Sequence, residues 1–215
     1  MTPSIRENIG RLEEDHALAA VTGIPGLKLY RNIYIPQGSG KTAEIDLLIV
    51  SRKGVFAVEV KGFGGVITGS NVRYEWVRCR KRKGSEGDVV TRFYNPVRQS
   101  EQHLAAITRY LGMPANSCCG LVVFSDRAVL KKVPPNTGSC VILQTRELSA
   151  VVRCMLARRK ERFSAAELRQ LEAKLDVIPK VGESTRRLHI AQAKRAERVR
   201  KAEQERRRRQ RGKRR

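Results

Sequence analysis

Residues 44–61 read E-I-D-L-L-I-V-S-R-K-G-V-F-A-V-E-V-K, and this stretch decides the fold of the chain. Two runs rich in β-branched and apolar residues, 43–50 and 55–60, flank a polar segment at 51–54 that ends in glycine. Apolar runs of this length around a short glycine-containing linker are typical of a β-hairpin. The sequence therefore predicts two antiparallel strands joined by a short loop.

The pairing within this hairpin determines which side chains meet. If Val50 pairs with Val55, the numbers of opposed residues sum to 105, and Asp46 faces Glu59. Side chains alternate along a strand, so Lys61 lies on the same face as Glu59. The other face is apolar throughout, which specifies the register well. It comprises Ile45, Leu47, Ile49, Phe56, Val58 and Val60.

The two opposed carboxylates indicate a site rather than a purely structural surface. Asp46 and Glu59 would repel each other across the strands, and such pairs destabilise a sheet. A divalent cation between them removes the repulsion, because Mg²⁺ prefers hard oxygen ligands. Lys61, one pleat along, can then orient or deprotonate a bound water. In the alternative interpretation, Glu44 pairs with Lys61 and Asp46 simply faces water.

The wider motif pattern resembles a known family. The spacing D-x(12)-E-x-K on adjacent strands resembles the PD-(D/E)XK nuclease superfamily, and its context is similar to the NERD (nuclease-related domain) branch. The supporting segments are E-I-D-L-L-I-V, K-G-V-F-A-V-E-V-K-G-F-G-G-V-I-T-G, a single Trp and F-Y-N-P-V-R-Q. They occur in that order within residues 8–125, so the resemblance covers more than half of the chain.

The resemblance implies both a fold and a metal site. The fold would be α/β (α+β) with an α-β-β-β-α-β core, a restriction-endonuclease-like mixed sheet flanked by helices. Asp46 and Glu59 would hold one or two Mg²⁺ or Mn²⁺ ions, with the Val60 carbonyl as a further oxygen ligand. The first helix of the family usually carries a Gly-Glu pair where this chain has Glu13-Glu14. The helix carboxylate is therefore assigned to Glu14.

A helix that begins after Asn95 supplies one more candidate. Asn is a favoured N-cap, Pro96 fits the first helical position, and Gly112 lies where a C-terminal cap belongs. Gln99 and His103 are four residues apart and therefore neighbours on this helix. In related nucleases a Gln of this helix reaches toward the site, so the resemblance implies a catalytic role for Gln99. We expect His103 to cap or solvate the helix edge.

Hydrophobic periodicity and turn residues predict the remaining elements. Helices are expected at 4–21, 146–160 and 164–175, and further strands at 27–35, 66–68, 74–80, 121–124 and 140–143. The chain then divides into three parts, which are a nuclease-like core at 1–145, a helical extension at 146–182 and a basic, partly disordered tail at 183–215.

The net charge of +23 is extreme for 215 residues. Residues 186–215 contain fifteen Lys or Arg and three Glu, a net charge of +12, and residues 1–185 carry the remaining +11. Such charge attracts polyanions, with nucleic acid first and anionic membrane second. A charged loop at 81–87 can contact phosphates or simply be solvated.

Several protein classes are disfavoured by composition. The chain has no run of 18 apolar residues, which argues against a membrane span, and its amino terminus lacks the apolar region of a secretory signal. Its five cysteines are odd in number and show no C-x-x-C spacing. That pattern argues against a disulfide framework and against a cysteine-based zinc site. We expect a soluble, cytoplasmic protein.

These observations favour metal-dependent hydrolysis of a phosphodiester in nucleic acid, with DNA as the preferred substrate and no evident sequence specificity. Lys61 would position the attacking water or stabilise the transition state. Two alternatives stay open. The first is a non-catalytic NERD module that binds nucleic acid, and the second is an interaction protein that docks a polyanionic partner through its basic charge.

Overall fold

A computed structural model describes residues 5–38, 41–81 and 87–178 of the chain. The predicted tail and the centre of the charged loop at 81–87 lie outside the described residues. The elements, in chain order, are α1 (Ile5–Val21), β1 (Lys28–Gly38), β2 (Lys41–Ser51), β3 (Gly54–Lys61), β4 (Gly65–Thr68), β5 (Glu75–Lys81), β6 (Asp88–Tyr94), α2 (Pro96–Leu111), β7 (Cys118–Phe124), β8 (Ala128–Leu130), β9 (Cys140–Gln144), α3 (Leu148–Arg158) and α4 (Ala165–Asp176).

The strands form two mixed sheets. The larger has the order β1-β2-β3-β7-β9, in which β1, β2 and β3 are antiparallel and β3, β7 and β9 are parallel. The smaller has the order β6-β5-β4-β8, with β4 and β8 parallel. The predicted α/β class and the α-β-β-β-α-β order are confirmed. The smaller sheet as a whole was not predicted from the sequence, because neither β6 nor the three-residue β8 was expected.

The predicted hairpin register is confirmed where β2 and β3 pair. Val50 lies opposite Val55, and the last pair of the ladder is Leu47 with Val58. The prediction that Ile45 lies on the same face as Leu47 is wrong. Ile45 packs in the same hydrophobic cluster as Val50, and Leu47 packs in another. The alternation is interrupted between these residues, where β2 leaves β3.

The neighbouring strand β1 is irregular at the same level. Asn32 has φ 50°, a left-handed conformation that Asn tolerates better than most residues. In β1, Leu29 packs in one cluster and Ile33 in the other, so both strands exchange faces at this level. Asp46 lies at the exchange point, since its neighbours Ile45 and Leu47 pack on opposite sides.

Helices cover both faces of the larger sheet. One hydrophobic cluster joins the sheet to α2 and α4, for example through Ile107 and Leu175. Another joins it to α1 and α3, for example through Ala17 and Val152. A third cluster connects the smaller sheet, including the fully buried Trp76, to α2 and β7. Apolar residues on both faces of the larger sheet thus fix the helices around it.

Two of the helices begin and end as their sequences predict. The Asn95 side chain accepts a hydrogen bond from the Val97 N–H at the start of α2, and Gly112 ends the helix with φ 69°. Ser164 and Glu167 form the capping box predicted for α4. Within the described ranges, no helix combines the length and the apolar character needed to cross a membrane.

Candidate active site

The end of β3 brings three of the predicted residues together. Val55 and Ala57 pack in the cluster that contains α2, so the alternating Glu59 and Lys61 face the same helix. Lys61 Nζ donates to Glu59 Oε1 at 2.5 Å and to Gln99 Oε1 at 3.0 Å. The Lys61 ammonium is therefore held in place by one strand neighbour and one helix residue.

Asp46 reaches the same region from β2. Its Oδ2 accepts a hydrogen bond of 2.7 Å from the Val60 N–H, at the point where the β2–β3 ladder has ended. Burial, followed by the negative charges of Glu59 and Glu14, raises the pKa of Asp46 well above its ordinary value. The backbone bond from Val60 and the positive charge of Lys61 oppose that shift. The structure thus groups the predicted carboxylates, and their roles as ligands stay predictions.

The contacts differ from those of the alternative in which Glu44 pairs with Lys61. The Tyr34 hydroxyl donates to Glu44 Oε1 at 2.8 Å, while Lys61 binds Glu59 and Gln99. Asp46 does not simply face water either, because it is engaged by backbone and surrounded by charge. The arrangement therefore favours the site over the solvated face.

His103 is part of the site, and the expectation that it solvates the helix edge is wrong. Its side chain is buried, and Nδ1 lies 3.3 Å from Glu59 Oε2. Burial lowers the pKa of His103, and the charge of the nearby Glu59 opposes that shift. The geometry of α2 explains the position of His103. Residues four apart lie on one face of a helix, and Gln99, four residues before His103, contacts Lys61.

Glu59 has an oxygen available for a ligand. Among the described residues, none donates a hydrogen bond to its buried Oε2. A buried charged oxygen without a donor is costly, and a cation would offset that cost. The nearby Asp46 carboxylate, which is destabilised by like charge, would be relieved in the same way.

The donor set therefore fits a hard divalent cation with a small number of protein ligands. In the parts of the chain that the structure describes, no group of three or more His, Cys, Asp or Glu side chains is placed to enclose a metal. Mg²⁺ usually keeps several waters and needs only one or two carboxylates together with substrate oxygens. Asp46 and Glu59 match that requirement, and they do not match a site in which protein side chains supply every ligand.

Glu13, the neighbour of Glu14, fixes α1 against the site. Its buried Oε1 accepts from Ser125 Oγ at 2.8 Å and from Arg127 Nη2 at 2.9 Å. A Cβ on Gly62 would lie 3.2 Å from the Glu13 side chain and 3.3 Å from the α1 backbone, so the chain beyond β3 passes close to the helix. The next residue, Glu14, lies 3.8 Å from Arg31 Nη2 of β1, and its charge acts on Asp46.

We expect Ser125→Ala to lower the free energy of unfolding by about 1–3 kcal/mol, because it leaves the buried Glu13 carboxylate short of a donor. The matched control is Ser139→Ala, whose hydroxyl donates to the exposed Glu101 at 3.3 Å. That change should stay within about 0.5 kcal/mol. Urea unfolding measures both. Equal effects in the two variants would contradict the anchoring role of Glu13.

A second prediction follows from the raised pKa of Asp46 in metal-free protein. An unfolded Asp ionises near pH ~3.9, whereas folded Asp46 keeps its proton to higher pH. Stability is therefore lost as pH rises from about 4 through the folded pKa, because the unfolded state binds fewer protons in that window. Asp46→Asn does not titrate. Its melting temperature in EDTA should exceed that of the wild type by more at pH 7 than at pH 4.

Asp176 provides a control in which the pKa shift has the opposite direction. Its hydrogen bond from Lys28 Nζ, 2.7 Å long, lowers the pKa of Asp176, so its contribution is present at neutral pH and disappears as pH falls. Asp176→Asn should therefore destabilise the protein at pH 7 and not at low pH. If Asp46→Asn shows that same pattern, the Asp46 carboxylate is stabilised rather than strained in the folded state.

Comparison with known proteins gives the family. The family model described as nuclease-related domain matches residues 9–125, more than half of the chain. The chain belongs to the nuclease-related domain (NERD) family. This confirms the resemblance carried by the hairpin motif.

One curated relative adds a more distant comparison for this NERD protein. An uncharacterized protein of Bacillus anthracis is 28% identical over 121 residues, which amount to 56% of this chain and 54% of that protein. The chain thus spans about half the length of the curated relative it matches. No solved structure matches the chain.

The NERD segment contains the whole candidate site. Glu14, Asp46, Glu59, Lys61 and Gln99 all lie within the matched residues, on α1, β2, β3 and α2. The helices α3 and α4 lie beyond the match and contribute to the hydrophobic clusters on the two sides of the larger sheet. The site therefore belongs to the shared NERD part of the chain.

Proposed function

We propose that this NERD protein hydrolyses phosphodiester bonds in nucleic acid, with DNA as substrate and Mg²⁺ or Mn²⁺ as cofactor. One observation carries the proposal. Asp46 and Glu59 are crowded carboxylates at the end of the central hairpin, and beside them Lys61 is held by Glu59 and Gln99. Acidic oxygens next to a fixed ammonium suit the binding and cleavage of a phosphodiester.

The carboxylates would form the metal site. Asp46 and Glu59 would hold the cation, with the Val60 carbonyl as a further oxygen ligand. Glu14, whose carboxylate lies 3.8 Å from Arg31 Nη2, would have to reorient to join them. A bound Mg²⁺ would stabilise charge on the phosphoryl oxygens and lower the pKa of a water. The Glu59 Oε2 that lacks a donor among the described residues supports this assignment.

The remaining residues position the reacting groups. Lys61 carries a positive charge on a side chain that is largely buried, at 16% exposure, and fixed at two points. Such a group can orient an attacking water or stabilise charge that develops in the transition state. Gln99 would hold the ammonium, and His103, whose Nδ1 lies 3.3 Å from Glu59 Oε2, would limit the motion of the Glu59 carboxylate.

The charge of the chain supports a polyanionic substrate. With a net charge of +23, nonspecific affinity for the phosphate backbone is expected through counterion release. Contacts of that type position a duplex without reading its sequence. We therefore assign cleavage without sequence preference.

The test is incubation of the purified protein with supercoiled plasmid and with short single strands, in Mg²⁺, Mn²⁺ or EDTA. We expect cleavage with either metal and none in EDTA. Thermal unfolding without substrate gives a second readout, because a ligand of the native state raises its melting temperature. Mg²⁺ should raise it in the wild type and not in Asp46→Asn. Cleavage in EDTA would overturn the proposal.

A non-catalytic module that binds nucleic acid is the second candidate. The net charge of +23 favours it, because charge of that size attracts nucleic acid without any metal site. The same experiments separate the two candidates. A protein that binds DNA tightly, shows no thermal response to Mg²⁺ and leaves plasmid intact is the binding module.

A further inference from the structure

The segment between β4 and β5 is held unusually firmly for an exposed loop. Its four successive carbonyls from Ser70 to Arg73 all accept hydrogen bonds from side chains. Asn95 Nδ2 lies 3.0, 3.3 and 2.6 Å from three of them, which share its two hydrogens. Arg98 Nη2 donates to the fourth, the Val72 carbonyl, at 3.0 Å, and Trp76 Nε1 also donates to Ser70 at 2.9 Å. The loop backbone therefore faces inward, and its conformation is fixed.

Asn95 connects this loop to the candidate active site. It is fully buried and also caps α2 by accepting from Val97 N. The N–H of Gln99, one helical turn later, donates to the Asn95 carbonyl at 3.1 Å, and the Gln99 side chain contacts Lys61. The same helix turn thus positions the loop and the reactive ammonium.

The entry to the loop is equally constrained. A Cβ added to Gly69 would lie 2.2 Å from the ring of Trp76, which is fully buried. Only glycine lets the backbone pass this close to the indole. The sequence G-S-N-V-R at 69–73 therefore serves to bring the chain over Trp76 and present three side chains outward.

Those three side chains are Asn71, Val72 and Arg73, and all are exposed. Val72 is 73% exposed although it lies on a rigid segment, where an apolar side chain gains nothing from facing water. It is flanked by an amide and a guanidinium. Side chains of these types contact phosphates and groove edges in nucleic-acid complexes, and apolar residues pack against bases.

We propose that the loop at 70–73 is a nucleic-acid contact of the NERD site, in which Val72 packs against a base or sugar and Arg73 binds a phosphate. The proposal rests on the proposed nucleic-acid substrate, and the positive charge of the chain selects a polyanion over other partners. Asn95 acts as a positioning residue, because it holds the contact at a fixed distance from Gln99 and Lys61. The loop thereby sets where on a bound strand the reactive groups lie.

The test measures binding, so it does not depend on cleavage. Labelled duplex and single-stranded DNA are titrated with full-length Asp46→Asn protein in EDTA, over a range of salt concentrations. Val72→Ala and Arg73→Ala are added singly. The matched controls are Val90→Ala and Arg92→Ala, which change exposed residues of β6 in the smaller sheet.

We expect Val72→Ala and Arg73→Ala each to weaken binding about five- to tenfold, and the controls to change it less than twofold. Arg73→Ala should also reduce the slope of log K against log salt by roughly 0.9, because the variant neutralises one phosphate fewer. Val72→Ala should leave that slope unchanged. If both loop variants bind as the controls do, the loop does not touch the nucleic acid, whatever the result of the cleavage assay.

Asn95→Ser tests the positioning role. Serine keeps a hydroxyl that can cap α2 but removes the amide nitrogen whose hydrogens the three loop carbonyls share. With folding verified by circular dichroism, binding should fall as it does in Val72→Ala. Where Asn95→Ser does not fold, the exposed Val72 and Arg73 variants decide the proposal. Unchanged affinity in a folded Asn95→Ser protein overturns the positioning role.

Discussion

Asp46→Asn, Glu59→Gln and Lys61→Met are each expected to lower kcat for DNA cleavage by at least about 10²-fold, while DNA binding changes little. Removing one group that stabilises the charge developing in the transition state typically lowers kcat by a factor on the order of 10²–10³. The changes preserve side-chain size, and the basic surface that supplies affinity is almost unaltered. Initial rates with supercoiled plasmid, together with Kd from titration in EDTA, separate turnover from binding.

Glu44→Gln is the matched control for this series. Glu44 lies on β2 two residues before Asp46, and its carboxylate accepts from the Tyr34 hydroxyl. Because Glu44 is not one of the proposed site residues, Glu44→Gln should cleave DNA at a rate close to that of the wild type. In the alternative of a solvated face, in which Glu44 pairs with Lys61 and Asp46 faces water, none of these changes would lower kcat. Full activity in any of the three site variants would remove that residue from the mechanism.

Deletion of residues 186–215 is expected to have the second large effect. The deletion removes fifteen positive side chains and none of the candidate ligands. Affinity for DNA should fall at least tenfold at 0.1 M salt, and the slope of log K against log salt should flatten by roughly 0.9 for each phosphate that is no longer neutralised. The turnover at saturating substrate should stay within twofold, because binding that is equal in ground and transition states does not lower the chemical barrier.

The comparison for the deletion is a full-length chain in which the same Lys and Arg positions are replaced by Gln. Equal losses of affinity in the two proteins assign the effect to charge. A loss confined to the deletion assigns it to some other property of residues 186–215. A salt slope that stays at the wild-type value in both proteins would show that these residues serve a partner other than nucleic acid.

Local chemistry was enough to predict most elements, although the predicted Asp46–Glu59 pair lies beyond the end of the β2–β3 ladder. The hairpin register follows from alternation and a short loop, and the limits of α2 follow from Asn95 and Gly112, whose preferences act within a few residues. Gln99 came from the family resemblance. Its contact with Lys61 joins residues 38 positions apart, which no local pattern specifies.

The wrong predictions for Ile45 and His103 have a common cause, because the positions of both residues depend on contacts with residues distant along the chain. Ile45 changes face because β2 leaves β3 and because β1 is irregular at Asn32, and neither event is visible in the β2 sequence. His103 is polar and lies beside the apolar stripe of α2, so a solvated edge was the natural expectation. In the fold it is buried with Nδ1 3.3 Å from Glu59 Oε2 on β3, a contact between residues 59 and 103 that no local pattern specifies.

The parallel pairing of β3 with β7 has a consequence for the order of folding. β1, β2 and β3 form a meander of neighbouring strands, whereas Val55 must find Cys118 across a crossover that contains the whole of β4, β5, β6 and α2. Closing so long a segment is entropically costly, and distant pairings form slowly. We expect the meander to be structured early in the folding transition state and the crossover late.

This order of folding would assemble the candidate site in two steps. Its acidic half, Asp46 and Glu59, would be assembled with the meander, and its helical half, Gln99 and His103, would arrive only when the crossover closes. Ile49→Val in the meander should then slow folding, whereas Ile107→Val in α2 should mainly speed unfolding. Stopped-flow kinetics that assign a high φ-value to Ile107 and a low one to Ile49 would reverse the order. A chain that stalls before closure would expose the crowded carboxylates and Lys61 without the α2 residues Gln99 and His103, which contact them in the native protein.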